Sequence, residues 1–244
     1  MNYNELNHRK QIGKVDEIVS SETGTFTVLM RKVYVWMTLA LIITGITAFG
    51  VADSPDILSF IVRNQFVFWT LIIAELTAVI AINEAINKLS LATATLLFIL
   101  YSVINGVTMA IIFAAYEISS VAHVFFITAG TFAVMAVVGY TTKADLTSMG
   151  KFLMMELIGL IIASMVNIFL VRSTGVDQII TYIGVLIFVG LTVYDSWKIK
   201  MQLMETDPAE IEASQKIALL GALKLYLDFV NLFLYLLRIM GKRK

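Results

Sequence analysis

Asp195 and Asp228 stand at the end of one and inside another stretch of the chain built mostly from Leu, Ile, Val, Phe and Tyr. An ionised acid at the centre of a membrane helix costs about 3 kcal/mol on insertion scales, so each such residue requires a partner, a cavity or a proton. Two carboxylates brought together can share and release a proton, and they can present the hard oxygen ligands that calcium prefers. Lys224 falls four residues before Asp228, and Asn231 and Tyr235 follow at spacings of three and four, which gathers all four on one helical face. A helix facing lipid cannot carry such a stripe cheaply, so this one belongs inside a bundle or against a water-filled path. Read structurally, the stripe is a hydrogen-bonded seam that fixes helix packing. Read functionally, it is the wall of an ion or proton route.

Asp195 also has a structural reading, as an interfacial acid paired with Lys198 one turn away. Ending its span at 194 and starting the next at 217 puts Asp228 roughly 16 Å further along its own helix. Tilt and side-chain reach would have to close that gap. Glu75 lies in another apolar run, and Arg238, toward the outer end of the Asp228 helix, can snorkel toward it. Glu75–Arg238 is therefore the expected structural ion pair. Glu156 lies within about one turn of the inner boundary and is expected to meet water. His8 and His123 lack metal-ligand company and cysteine is absent, which removes zinc-type sites, disulfides and cysteine nucleophiles.

The elements that must position these residues are membrane helices. Of the 244 residues 59% are hydrophobic and only 15% charged, and the mean hydropathy is +0.85. One soluble core could not hide that much apolar surface. Apolar runs at 33–52, 66–82, 89–113, 121–140, 152–171, 179–194 and 217–240 are each about long enough to cross a bilayer. They are continuous rather than alternating, which selects helices over strands. The expected fold is all-α: a polar cytoplasmic segment over 1–32, a seven-helix transmembrane domain over 33–241 and a basic tail over 242–244. Connections at 53–65, 83–88 and 196–216 read as loops, the last being the longest and most polar. Glycines 106, 130, 139, 159, 184 and 190 read as helix-packing positions. The first 32 residues do not follow the pattern of a signal peptide, so the first span is expected to direct insertion itself.

Basic residues near the span ends orient the bundle. With the N-terminus cytoplasmic, the inner segments hold Arg9, Lys10, Lys14, Arg31, Lys32, Lys88, Lys143, Lys151, Lys198, Lys200 and Lys216, and the outer connections only Arg63 and Arg172. Seven full crossings then place Arg238, Lys242, Arg243 and Lys244 outside, against the same rule. Either the tail is an exception or one segment is re-entrant, and seven crossings is the expectation retained. Net formal charge is zero, which gives no basis for nucleic-acid binding.

The stretch Leu225-Tyr226-Leu227-Asp228-Phe229-Val230-Asn231-Leu232-Phe233-Leu234, followed by Leu236-Leu237-Arg238, resembles the final helix of the Bax inhibitor family, also called the transmembrane Bax inhibitor motif family. Val193-Tyr194-Asp195, Asn105-Gly106-Val107-Thr108 and Gly139-Tyr140-Thr141-Thr142-Lys143-Ala144-Asp145-Leu146 are similar to further family motifs, in order and well spaced. The resemblance implies seven helices with the seventh at the centre, and a pH-sensitive calcium leak in which Asp195 and Asp228 act as a proton-sensing pair. Glu75 and Arg238 match charged positions of the bacterial relatives. Two departures stand out. The inner end of the second span, Ala81-Ile82-Asn83-Glu84-Ala85-Ile86-Asn87-Lys88, lacks the arginines that latch onto the aspartates in some relatives, leaving Lys88 as a substitute. Lys224 replaces a more usual small polar residue.

The leading expectation is thus a calcium leak channel with Asp195 and Asp228 as ion ligands and pH sensor, modulated by Lys224, Lys88 and Asn231. No cofactor is expected beyond calcium as the permeant or bound ion, and the partners are the lipid bilayer, calcium and protons. A bacterial source would place the protein in the plasma membrane. A proton-coupled transporter or exchanger is the runner-up, although no clear internal repeat supports it, and a regulatory membrane protein acting through other membrane proteins is the third reading. Enzymatic activity is not expected. Tyr194-Asp195 with Asp228 resembles the two-aspartate intramembrane proteases, but those enzymes use a glycine-rich turn and a proline-bearing motif, and the only prolines here are Pro55 and Pro208. A retinal protein with Lys224 as Schiff-base lysine lacks an acid in the third span as counter-ion.

Overall fold

A computed structural model describes residues 3–86, 88–207 and 210–244, with side chains from Phe26 onward. His8, Arg9, Lys10 and Lys14 fall before the described side chains, and Pro208 lies outside the described residues. The chain is helical: α1 (Tyr3–Ala52), α2 (Pro55–Arg63), α3 (Gln65–Ala85), α4 (Leu91–Ala115), α5 (Ile118–Thr141), α6 (Thr147–Val166), α7 (Thr174–Glu205) and α8 (Ile211–Met240). A π-helical turn, Asn167–Val171, extends α6. Seven of these are long and apolar enough to cross a bilayer, the first from Phe26 to Ala52. The sequence runs match them one for one.

Local chemistry sets the ends. Pro55 and Asp56 open α2, where a missing N–H and a negative charge suit a helix start. Side chains of Asn64, Ser90 and Ser173 accept from Val67, Thr93 and Val176 and cap α3, α4 and α7. Asn167 clamps the α6–α7 turn by donating to the Ser173 carbonyl at 3.2 Å and accepting from its N–H at 3.0 Å. At the C-terminus of α5, Lys200 of α7 donates to the Tyr140 and Thr142 carbonyls at 3.0 and 2.8 Å. A cation there satisfies orphan carbonyls and complements the helix dipole.

Two connections depart from expectation. The stretch 53–65 contains α2, whose apolar Ile57, Phe60 and Val62 are exposed while Ile61 is buried. The stretch 196–216 is mostly helix: α7 runs on through Glu205 and α8 starts at Ile211, with Lys216 paired to Glu212 at 3.0 Å one turn apart. Its polarity reflects helix ends projecting beyond the apolar layer. At the other end, α1 continues through 32 without a break, and Leu29, Met30 and Val33 are all buried.

Enclosure differs sharply among the spans. Only 6% of the apolar window of α3 and 11% of that of α6–π are buried, against 67% in α8 and at most 39% elsewhere. The first two therefore present their apolar side chains to lipid, and α8 forms the core. It packs on α1, α4, α5 and α7, with Ala222, Leu223, Leu225, Tyr226 and Leu232 wholly buried. Of the six span glycines, Gly106, Gly139, Gly184 and Gly190 sit where a β-carbon would strike Thr47 of α1, the Val193 carbonyl of α7, the Tyr235 ring of α8 and Leu153 of α6. Gly130 and Gly159 meet nothing, so close packing does not explain them.

The C-terminal residues fold back on the α4–α5 turn. Tyr116 and Arg243 form an antiparallel bridge, Glu117 N–H donates to the Lys242 carbonyl, Lys244 N–H donates to the Ala115 carbonyl at 3.0 Å, and Lys242 pairs with Glu117 at 2.9 Å. That turn follows the third span, so the end of the seventh lies on the same side, as seven complete crossings require. No re-entrant segment is needed to account for the tail. Its basic groups are engaged with the bundle: Arg243 lies over the Tyr116 ring and Lys244 Nζ donates to the Phe113 carbonyl.

Candidate functional site

Because α7 and α8 are antiparallel and both extend beyond their apolar runs, positions on one descend as positions on the other rise. Gly184 meets Tyr235, and Gly221 meets Ile199. Asp195 falls between these levels opposite Asp228. The two carboxyls lie within hydrogen-bonding reach, so the depth difference inferred from the shorter spans disappears. Asp228 is 4% exposed, and its Oδ2 meets no donor among the described residues. A buried carboxylate oxygen without a donor is costly, and a proton shared with Asp195 or a cation between them would satisfy it.

Lys224 acts on both carboxyls and Lys198 on Asp195. The lysine of the polar stripe, Lys224, lines the cavity that holds both carboxyls. Lys198 also lies over the Tyr194 ring, 5.5 Å from its centroid. Lys88, expected as a latch, is exposed in the α3–α4 turn and is not among the charges acting on the aspartates.

A cavity of about 820 Å³ connects these groups with the far end of α8. Asp195, Lys224, Asp228, Asn231, Tyr235 and Arg238 line it, with Leu76, Ile112 and apolar residues of α6 and α7 opposite. The polar stripe of α8 therefore faces open space rather than a sealed seam. The volume accommodates a hydrated ion, and two carboxylates supply a few of the six to eight oxygens that calcium takes. Among the described residues no group of three or more His, Cys, Asp or Glu gathers into a cage. A cation held there would keep most of its ligands as water.

The structure does not bring Glu75 and Arg238 together. Arg238 pairs with Asp177 of α7 at 3.3 Å, both half exposed. Glu75 Oε1 accepts from Thr108 Oγ1 at 2.6 Å and its Oε2 from Asn105 Nδ2 at 3.4 Å. The Tyr226 hydroxyl donates to Asn105 Oδ1 at 2.8 Å and contacts Thr44 Oγ1 at 2.7 Å. Sequence reasoning assigned no role to Asp177, Thr44, Asn105, Thr108 or Tyr226. The three-residue spacing of Asn105 and Thr108, which puts two polar groups on one helical face, was the available signal. His123 Nδ1 lies 2.7 Å from the Ser119 carbonyl.

Comparison with known proteins fits this architecture. The family model described as "Inhibitor of apoptosis-promoting Bax1" matches residues 27–244. The chain is 44% identical over 229 residues to the Escherichia coli K12 "Inner membrane protein YbhL", covering 94% of this chain and 97% of that protein. It is 46% identical over 216 residues to an uncharacterized protein of Borreliella burgdorferi, covering 88% and 92% of the two chains. A Deinococcus radiodurans protein is 32% identical over 234 residues, 96% of this chain and 97% of that one. Together with the seven apolar helices, these likenesses make the molecule a multi-pass integral membrane protein.

Proposed function

The chain belongs to the Bax inhibitor family, and on that premise we propose that it is a pH-sensitive calcium leak pathway gated by Asp195 and Asp228. The observation that carries this reading is the placement of the two carboxyls, within hydrogen-bonding reach of each other, on the wall of a cavity that follows α8 toward Arg238. A proton held between them joins α7 to α8 and narrows the route. Its loss leaves two facing carboxylates that repel unless a cation lies between them, so the route loosens and calcium competes with the proton for the same oxygens. Lys224 lines the same cavity as both carboxyls and attracts the charged pair. The chemistry is displacement of a proton by an ion, with no covalent step, and on this reading the protein is not an enzyme.

Calcium flux into liposomes containing only the purified protein, followed through a series of pH values, tests the reading. Flux should fall on acidification. Asp195→Asn and Asp228→Asn should each blunt the pH dependence, and the double variant should do no worse than either alone, as expected of residues acting as one unit. Normal pH profiles in both single variants would overturn the gate. Flux that appears only against a proton gradient would assign a proton-coupled exchanger instead.

A further inference from the structure

Glu75 lies within the apolar window of α3, the least enclosed of the seven spans, and among the described residues it has no ion-pair partner. A charge at that depth calls for a reason. Both of its carboxylate oxygens accept from α4, one from the Thr108 hydroxyl and one from the Asn105 amide. The Asn105 amide is itself aimed by α8, because its oxygen accepts from the Tyr226 hydroxyl. The proton count gives the chain a direction. The Tyr226 hydrogen goes to Asn105, and the Thr44 hydroxyl, 2.7 Å from Tyr226 Oη, donates to the Ser102 carbonyl at 2.9 Å. Donors therefore run from Tyr226 on α8 through Asn105 on α4 to Glu75 on α3, each pointing toward the carboxylate. Three helices thus hold a carboxylate that, among the described residues, no lysine or arginine pairs with.

This charge opens on space. A second cavity, about 620 Å³, is lined by Glu75, Tyr101, Asn105, Thr108 and Asn231. It shares Leu76, Ile112, Leu227, Asn231 and Leu234 with the cavity of the aspartate pair. The two spaces therefore adjoin across the α8 surface, with Asn231 the polar side chain common to both. A carboxylate without a basic partner and a neighbouring hydroxyl, beside a cavity roomy enough for water and held in place by the Asn105 amide, are the hard-oxygen chemistry that a divalent cation seeks.

We propose that Glu75, with Asn105 and Thr108, is a second station for a divalent cation, adjoining the Asp195–Asp228 site through Asn231. An ion leaving one carboxylate site finds the next across a single side chain, which lets each site bind weakly enough to release. Two weak stations in series are what conduction requires. The inference rests on the leak reading only for its direction of use; cation binding at Glu75 can be measured without flux.

Equilibrium binding of radiolabelled calcium to the full-length protein in lipid nanodiscs separates the stations. The double variant Asp195→Asn/Asp228→Asn should keep one class of calcium site, and adding Glu75→Gln should abolish it. Asn105→Asp, which places a second carboxylate beside the first, should tighten that site by about tenfold; a purely structural Glu75 would show no such gain. Size-exclusion and thermal-unfolding profiles identify any variant that misfolds, and the Asn105→Asp measurement does not depend on removing Glu75. In liposomes Glu75→Gln should lower calcium flux without moving its pH midpoint. Calcium binding that is unchanged by Glu75→Gln and by Asn105→Asp would overturn the station while leaving the leak reading intact. Absence of flux from the wild type, with Glu75-dependent binding preserved, would remove the leak reading and keep the site.

Discussion

Lys224 is the residue with the most direct leverage on the aspartate pair, because it shares the α8 face with Asp228 and acts on both carboxyls. Its ammonium favours two negative charges over one shared proton. Lys224→Met should therefore shift the calcium-flux transition to higher pH, by about one unit for each 1.4 kcal/mol of attraction removed, as read in the same liposome assay. At the membrane surface Asp145 shows a different pH effect. The hydroxyl of Thr147 and then its N–H, donating to Oδ1 at 2.6 and 2.8 Å, hold this carboxyl below the usual carboxylate range. A depressed value means that the ionised form is favoured by folding. The contribution is fully present above the unfolded-state value, about pH 4, and is lost as pH falls through the lower folded value. Asp145→Asn should remove that acid-limb dependence from the thermal-unfolding temperature while leaving it unchanged near neutrality. Among single residues, intramembrane acids were the legible ones, since their cost marks them in any apolar run. Partners were not: Arg238 can reach in several directions, and only the packing of α7 against α8 decides for Asp177 over Glu75.

At the scale of elements, the α7–α8 pair carries the site, and its closeness depends on a missing side chain. A β-carbon at Gly184 would lie 2.6 Å from the Tyr235 ring, and the rings of Phe188 and Tyr235 stack beside it. Gly184→Ala should force that ring aside at a cost of about 1–3 kcal/mol. Because Tyr235 lines the cavity, the same change should lower calcium flux, and a variant with unaltered stability and flux would show that the contact relaxes freely. Helix existence and order were legible because twenty-residue apolar runs have no other use in a short-looped chain. Helix ends were not. The stretch 196–216 looks like a loop because hydropathy measures contact with lipid, whereas α7 and α8 continue as helices past the apolar layer. The register of Asp195 against Asp228 depends on those hidden turns, so the pairing was permitted by the sequence without being fixed by it.

For the molecule as a whole, a polar stripe forbidden to lipid places α8 inside, and the enclosure of the spans follows that logic, from α3 outermost to α8 innermost. The basic tail fits the seven crossings once its charges are seen to be bound to the α4–α5 turn. Deleting residues 242–244 removes one exposed ion pair and a short bridge, each of small worth, so thermal unfolding should register a loss of about 1 kcal/mol. A substantially larger loss would show that the tail anchors α8 more firmly than its exposure indicates.

The enclosed position of α8 bears on how the molecule is made. A chain emerges from the ribosome N-terminus first, so the first six spans enter the bilayer before the helix that fills their interior exists. Thr44, Asn105 and the α5 and α7 faces must wait with their inward surfaces uncovered, against lipid, water or an insertion partner, until α8 arrives. Residues 242–244 can reach the α4–α5 turn only after α8 has entered, so the bundle is completed from within rather than by addition to its rim.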